Sequence, residues 1–150
     1  MIDIGIGVST EKNAVLAAEE AMRRARKNWS GGKTGLAILF CTPDYPYPLI
    51  LKSLASHLGE IPLIGMSGSA VLSHEGVLTR GLALMLLGFP GDIHCNTACV
   101  KDLKTKPLLQ AGEELGEQLL YGFKNIPRHL GLAFFDRVIE EGSSFITGMQ

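Results

Sequence analysis

Short apolar runs alternate with amphipathic stretches along this chain, and the spacing inside each run decides which element it predicts. Residues 1–8 alternate apolar side chains with Gly and Asp, which predicts a first strand. Val15, Ala18, Met22, Ala25 and Trp29 then fall at helical spacing, with Ser9 or Thr10 as the cap and Ser30-Gly31-Gly32 as the stop. Residues 35–40 are continuously apolar, as a strand covered on both faces requires. Residues 41–48 carry prolines and tyrosines and form a loop. It leads into a helix with Ile50, Leu51, Leu54 and Leu58 on one face and Gly59 at its end. Residues 61–66 read as a third strand. Strand, helix and strand over about thirty residues make a βαβ unit, a right-handed crossover between parallel strands.

Downstream, residues 77–87 predict one long strand, or two short ones around Arg80-Gly81. Residues 93–100 alternate and are expected to pair with it antiparallel across the turn at 89–92. Leu108, Ala111, Leu115, Leu119 and Phe123 are spaced as the buried face of a helix, and residues 130–135 form another apolar strand. Ser143 and Ser144 can cap a last helix containing Phe145, Ile146 and Met149. The class is α/β, with a mixed β-sheet, βαβ units and helices packed on it.

One echo bears on domain organisation. Gly131-Leu132-Ala133-Phe134-Phe135-Asp136 resembles Gly35-Leu36-Ala37-Ile38-Leu39-Phe40, and each follows a helix and a polar loop. The first βαβ unit occupies about 1–70, and a second begins at about 130 whose matching strand would lie beyond Gln150. The expectation is that residues 1–150 are the N-terminal portion of an incomplete domain, partnered by the C-terminal remainder of the same protein.

Composition narrows the function. At 150 residues the chain can enclose one core, and a net charge of −1 lacks the positive surface that nucleic acid requires. The basic cluster Arg23, Arg24, Arg26 and Lys27 sits at the end of the first helix, where cations complement the dipole. Cys41, Cys95 and Cys99 make no disulfide framework, and with no signal-peptide pattern they fit a reducing cytoplasm. His94, Cys95 and Cys99 have no second ligand pair for zinc, and neither metal nor cofactor is expected. No apolar run approaches the ~20 residues of a membrane helix, so no membrane insertion is expected.

The chemistry-bearing stretch is Ile64-Gly65-Met66-Ser67-Gly68-Ser69, followed by Glu75-Gly76-Val77. A short strand runs into glycines and hydroxyls whose backbone N–H groups can converge on a small polar ligand, and Gly68 is the glycine expected at positive φ. Gly5-Ile6-Gly7-Val8-Ser9-Thr10 is only a partial dinucleotide fingerprint, and Gly32-Lys33-Thr34 precedes a strand, unlike a phosphate-binding loop. Ser67 comes near a nucleophile elbow, with His57 and His74 as available bases, but Ser69 stands where the second glycine belongs. Ligands of parallel sheets bind beyond the carboxyl ends of the strands. The candidate binding residues there are Thr42, Asp44, Ser67, Gly68, Ser69 and Asp136. They would suit a small zwitterion, its ammonium on Asp44 or Asp136 and its carboxylate on the N–H groups around Gly68.

The Gly-x-Gly-x-Ser start, the alanine-rich helix (Ala14, Ala17, Ala18, Ala21, Ala25) and the apolar strand before a Pro/Tyr loop resemble the N-terminal part of the FIST domain. So do Ile64-Gly65-Met66-Ser67-Gly68-Ser69 and Glu75-Gly76-Val77. FIST is a sensory module of prokaryotic signalling proteins, also found joined to an F-box. Met66 departs from the Cys common in the family. The resemblance implies small-ligand sensing, with amino acids proposed as ligands, and no established reaction. Two other functions remain open: a hydrolase or transferase using Ser67, and a protein-interaction module that recruits substrates.

Overall fold

A computed structural model describes residues 2–27, 29, 33–89, 91, 93–121, 123, 130–135 and 142–150. The chain divides into two compact units, Met1–Cys95 and Asn96–Gln150. The class is α/β with a mixed sheet, as the apolar pattern predicts.

The first unit holds β1 (Asp3–Ser9), α1 (Ala14–Lys27), β2 (Thr34–Cys41), α2 (Tyr47–Leu58), β3 (Leu63–Ser67), β4 (Val71–Ser73), β5 (Gly76–Leu78) and β6 (Leu82–Gly88). Four of these strands form one sheet in the order β1-β6-β2-β3, and β4 and β5 pair as a separate hairpin. The expected crossover is present, because β2 and β3 run parallel with α2 between them. β6 enters antiparallel between β1 and β2, so β1, β2 and β3 all point the same way. Their carboxyl ends therefore meet at one edge of the sheet.

The two helices lie on one face of the sheet, α1 with its backbone close against β1 and β6 and α2 set further off. Gly5 and Gly7 leave room for the backbone of α1, since a Cβ on either would overlap the carbonyl oxygen of Ala25 or Ala21. The facing helix answers with Ala14, Ala17, Ala18, Ala21 and Ala25, all buried. Here the Gly-x-Gly motif is a device for helix–strand contact, not a phosphate cradle. α2 instead buries Ile50, Leu54 and Leu58 against Leu39, Cys41 and Leu63, and larger side chains hold it further out. On the opposite face the register groups Ile4, Ile6, Ile38, Ile64, Met66, Met85 and Leu87, with Ile4, Ile6 and Met66 at least a third exposed.

Several local expectations are corrected. α1 is capped by Asn13, whose side-chain oxygen accepts the N–H groups of Val15 and Leu16 at 3.0 and 3.2 Å. Ser9 and Thr10 lie too far upstream for that role, and the expected stop at 30–32 lies outside the described residues. α2 does end at Gly59, with φ of 61°. Residues 77–87 resolve into the two short strands β5 and β6. Residues 93–100 form no strand, because both edges of β6 are already taken by β1 and β2. Residues 130–135 form none either, and Leu130 and Leu132 are exposed. An apolar run becomes a strand only where a ladder partner exists.

In the second unit, α3 (Leu108–Tyr121) packs on α4 (Gly142–Met149) through Ala111, Gly112 and Gly116. The expected Leu108 face thus contributes its small residues, and Phe145 anchors α4, meeting Phe135 edge-on with ring centroids 5.3 Å apart.

Gly7→Val would force its branched side chain into the α1 backbone. Overpacking of this kind costs about 1–3 kcal/mol, so urea unfolding should show a matching loss of stability. An unchanged midpoint would contradict the close helix–strand contact.

Candidate functional site

The register carries one row of residues across the carboxyl-terminal edge of the sheet: Ser9 opposite Leu82, Leu82 opposite Cys41, and Cys41 opposite Ser67. All four belong to the helix-bearing face. Adjacent strands are about 4.8 Å apart, so Ser67 stands beside Cys41 but roughly 14 Å from Ser9. The row therefore splits into two neighbourhoods.

At the β1 end, polar groups bind one another. Ser9 Oγ donates to Glu20 at 2.6 Å and accepts the Glu11 N–H at 3.2 Å. Glu20 also meets Arg24 at 2.9 Å, and Arg24 reaches Glu75 at 3.5 Å. The Ser9 hydroxyl, with help from Arg24 and Arg23, holds the Glu20 carboxyl below its usual 4.5 despite an opposing contribution from burial. This chain ties the hairpin residue Glu75 to α1. Gly76, next in the Glu-Gly-Val motif, turns the β4–β5 hairpin with φ of 111°.

Thr42 is fully buried and belongs to the scaffold. Its N–H donates to the Gly81 carbonyl at 2.9 Å, and its hydroxyl accepts the Gly81 N–H at 3.1 Å. The same loop is held by Tyr45, whose hydroxyl donates to the Glu11 carbonyl at 2.7 Å while Arg80 lies 5.7 Å from its ring centroid. Burial, the leading cause, pushes the Tyr45 phenol up. Asp44 is exposed on this loop.

At the β3 end lies a cavity of about 330 Å³. Tyr47, Ile50 and Leu51 line it from α2, Leu39 and Cys41 from β2, and residues 63–67 from β3. No charged residue is among them. The raised seat of α2, set by Ile50 and Leu54, leaves this gap above the edge strand. Ser67 places a hydroxyl at its rim, and burial pushes the Cys41 thiol up, so the sulfur stays protonated and uncharged.

The sequence-derived candidates are thus distributed unevenly. Ser67 lines the cavity, whereas Thr42, Asp44, Gly68 and Ser69 do not. Asp136 lies outside the described residues. The Gly68 N–H is engaged by the Cys41 carbonyl at 3.0 Å. Gly68 is not at positive φ, and a Cβ there would touch only the Ala70 carbonyl at 3.4 Å, so the expected left-handed turn is corrected. Gly65 is the constrained glycine of the pair: a Cβ there would overlap the Leu39 carbonyl oxygen. Cys41, Tyr47, Leu51 and Leu63 line the cavity without being among the binding residues expected from the sequence, where Leu51 is expected on the buried face of the helix. The signal that could have found Cys41 is its place at the end of a strand parallel to the one ending at Ser67. No hydrogen bond joins Ser67 to His57 or His74 among the described residues; His74 lies 3.8 Å from Glu75, and the His57 carbonyl accepts from Arg26 at 2.8 Å.

The FIST N domain family model matches residues 35–150. The chain belongs to the FIST family. It is a signalling-associated sensory family, and a general sensory role comes with membership. The matched stretch of this FIST domain contains β2, α2, β3 and the Glu-Gly-Val hairpin, while β1 and α1 precede it. A search of curated proteins finds no match. No helix among the described residues is long and apolar enough to cross a membrane.

Two outcomes follow from the polar contacts. Thr42→Val would leave the buried Gly81 N–H without an acceptor, at a cost of about 1–3 kcal/mol measured by chemical unfolding; a neutral result would contradict the clamp. Glu20 has a depressed pKa in the folded state, so its contribution is present above the usual 4.5 and is lost as pH falls through the folded value. Stability of the native protein should therefore fall on acidification below about 4.5, and Ser9→Ala should flatten that fall. An identical acid limb in Ser9→Ala would remove Ser9 as the cause.

Proposed function

We propose that this domain is the ligand-binding sensory part of a signal-transduction protein, with amino acids as ligands and no reaction of its own. The observation that carries the reading is the cavity at the carboxyl end of β2 and β3, rimmed by Ser67. Its size falls in the range of small-molecule sites, which are mostly apolar with a few polar groups fixing orientation. Ser67 supplies a polar contact at the rim, with Ser69 and Asp44 of the same unit proposed beside it. Thr42, tied to Gly81 through its N–H and hydroxyl, fixes the start of the loop that carries Asp44.

Binding is favoured over hydrolysis by the surroundings of Ser67. A serine nucleophile needs a base within hydrogen-bond reach, and the neighbour in register is Cys41, whose thiol burial keeps protonated. In a sensor the ligand leaves unchanged and its binding energy shifts a conformational equilibrium. Cytoplasmic location and coupling to a C-terminal remainder of the protein are part of the same proposal.

Protein recruitment is a second reading, favoured by the β4–β5 hairpin. Leu72 and Val77 face each other across it and are 79% and 64% exposed.

A thermal-shift screen with the standard amino acids separates these functions. The sensor predicts stabilisation that weakens in Ser67→Ala and Asp44→Asn. Each removes a contact whose loss lowers affinity about ten- to a hundredfold. A fluorophosphonate should label nothing. Stoichiometric labelling of Ser67 would establish the hydrolase instead. Absence of any shift, with partner capture abolished in Leu72→Glu, would favour recruitment.

A further inference from the structure

The cavity says more about its ligand than the polar motif beside it. Its wall is built from Leu39, Ile50, Leu51 and Leu63, with the neutral Cys41 thiol and the Ser67 hydroxyl at one end. The pocket is open on its outer side, where Tyr47, Leu51 and Ser67 are exposed. A charged group pressed against its apolar floor would give up part of its hydration and find no counter-ion among the lining residues, which one hydroxyl contact does not offset. An apolar group gains about 25 cal/mol for each Å² removed from water. At about 330 Å³ the space lies near the lower limit for small-molecule sites. That is too little for a partner helix, which is about 10 Å across.

We propose that this cavity seats the uncharged apolar side chain of its ligand, so that the domain selects large aliphatic or aromatic amino acids over charged or small polar ones. The charged backbone end of the ligand stays at the rim with Ser67, where solvent reaches it. This deepens the sensory reading and rests on it. The zwitterion expected from the sequence is thus bound side chain first, and selectivity comes from α2 and β3 more than from the glycine-serine turn.

Leu51 and Leu49 make the experiment specific. Both lie on α2 and both are 47% exposed, but only Leu51 lines the cavity. The protein and its Leu51→Glu and Leu49→Glu variants are titrated with leucine, phenylalanine, serine, aspartate and lysine, following melting temperature and heat of binding. Leucine or phenylalanine should stabilise the protein, and serine, aspartate and lysine should not. Leu51→Glu should weaken the leucine effect by at least about tenfold, while Leu49→Glu should retain it. Should Leu51→Glu fail to melt cooperatively, Leu51→Ala replaces it; the widened cavity should then favour phenylalanine over leucine relative to the parent.

The failures are distinguishable. Equal stabilisation by aspartate, lysine or serine overturns the apolar class and leaves the sensory reading standing. A leucine effect that survives Leu51→Glu and is unaltered in Leu51→Ala places the ligand elsewhere and overturns the cavity assignment alone. No effect from any of the five amino acids overturns both.

Discussion

The contact of α1 with β1 through backbone and alanine methyls sets the geometry of the first unit. Gly5 and Gly7 admit the helix to a distance that no side chain would permit, and five alanines keep the opposing surface equally thin. With α1 seated low, α2 cannot follow it down, because Ile50, Leu54 and Leu58 stand between its axis and the sheet. The step between the two helices opens space over β3. The cavity at β3 is therefore the by-product of two packing solutions, one made of small residues and one of large ones, on the same sheet face.

The polar residues sort along that step. Beneath α1 they are satisfied by one another, as in the Ser9–Glu20–Arg24–Glu75 chain, and so hold the hairpin and helix in place. Thr42 and Tyr45 close the neighbouring loops. Beyond α1, at the β3 edge, the Ser67 hydroxyl stands over apolar surface with solvent access. Hydroxyl residues that look alike in the sequence are thus divided between those bonded within the scaffold and one that lines the cavity.

Much of the fold was legible because helix faces and strand runs each carry their own period. The βαβ unit could be read from the apolar runs at 35–40 and 61–66 with Ile50, Leu54 and Leu58 between them. What periodicity does not contain is pairing. Nothing local announces that β6 enters between β1 and β2, and that insertion is why 93–100 has no strand to join. Cys41 as the neighbour of Ser67 follows from the parallel pairing of the βαβ unit once the ends of its two strands are aligned. A glycine between serines suits many turns, so the sequence points to Gly68, whereas the constraint falls on Gly65 from the Leu39 backbone. The Gly-x-Gly of β1 could have been understood from the alanines that follow it, since small residues on both partners mark a close approach.

The central claim is that ligand enters between α2 and β3. Amide chemical-shift mapping of the protein with added leucine tests it most directly. The account predicts shifts concentrated at Leu51 and at residues 63–67, with the Ser9–Glu20 region unmoved. Shifts confined to the β4–β5 hairpin, or to the loop of Asp44 without β3, would contradict it.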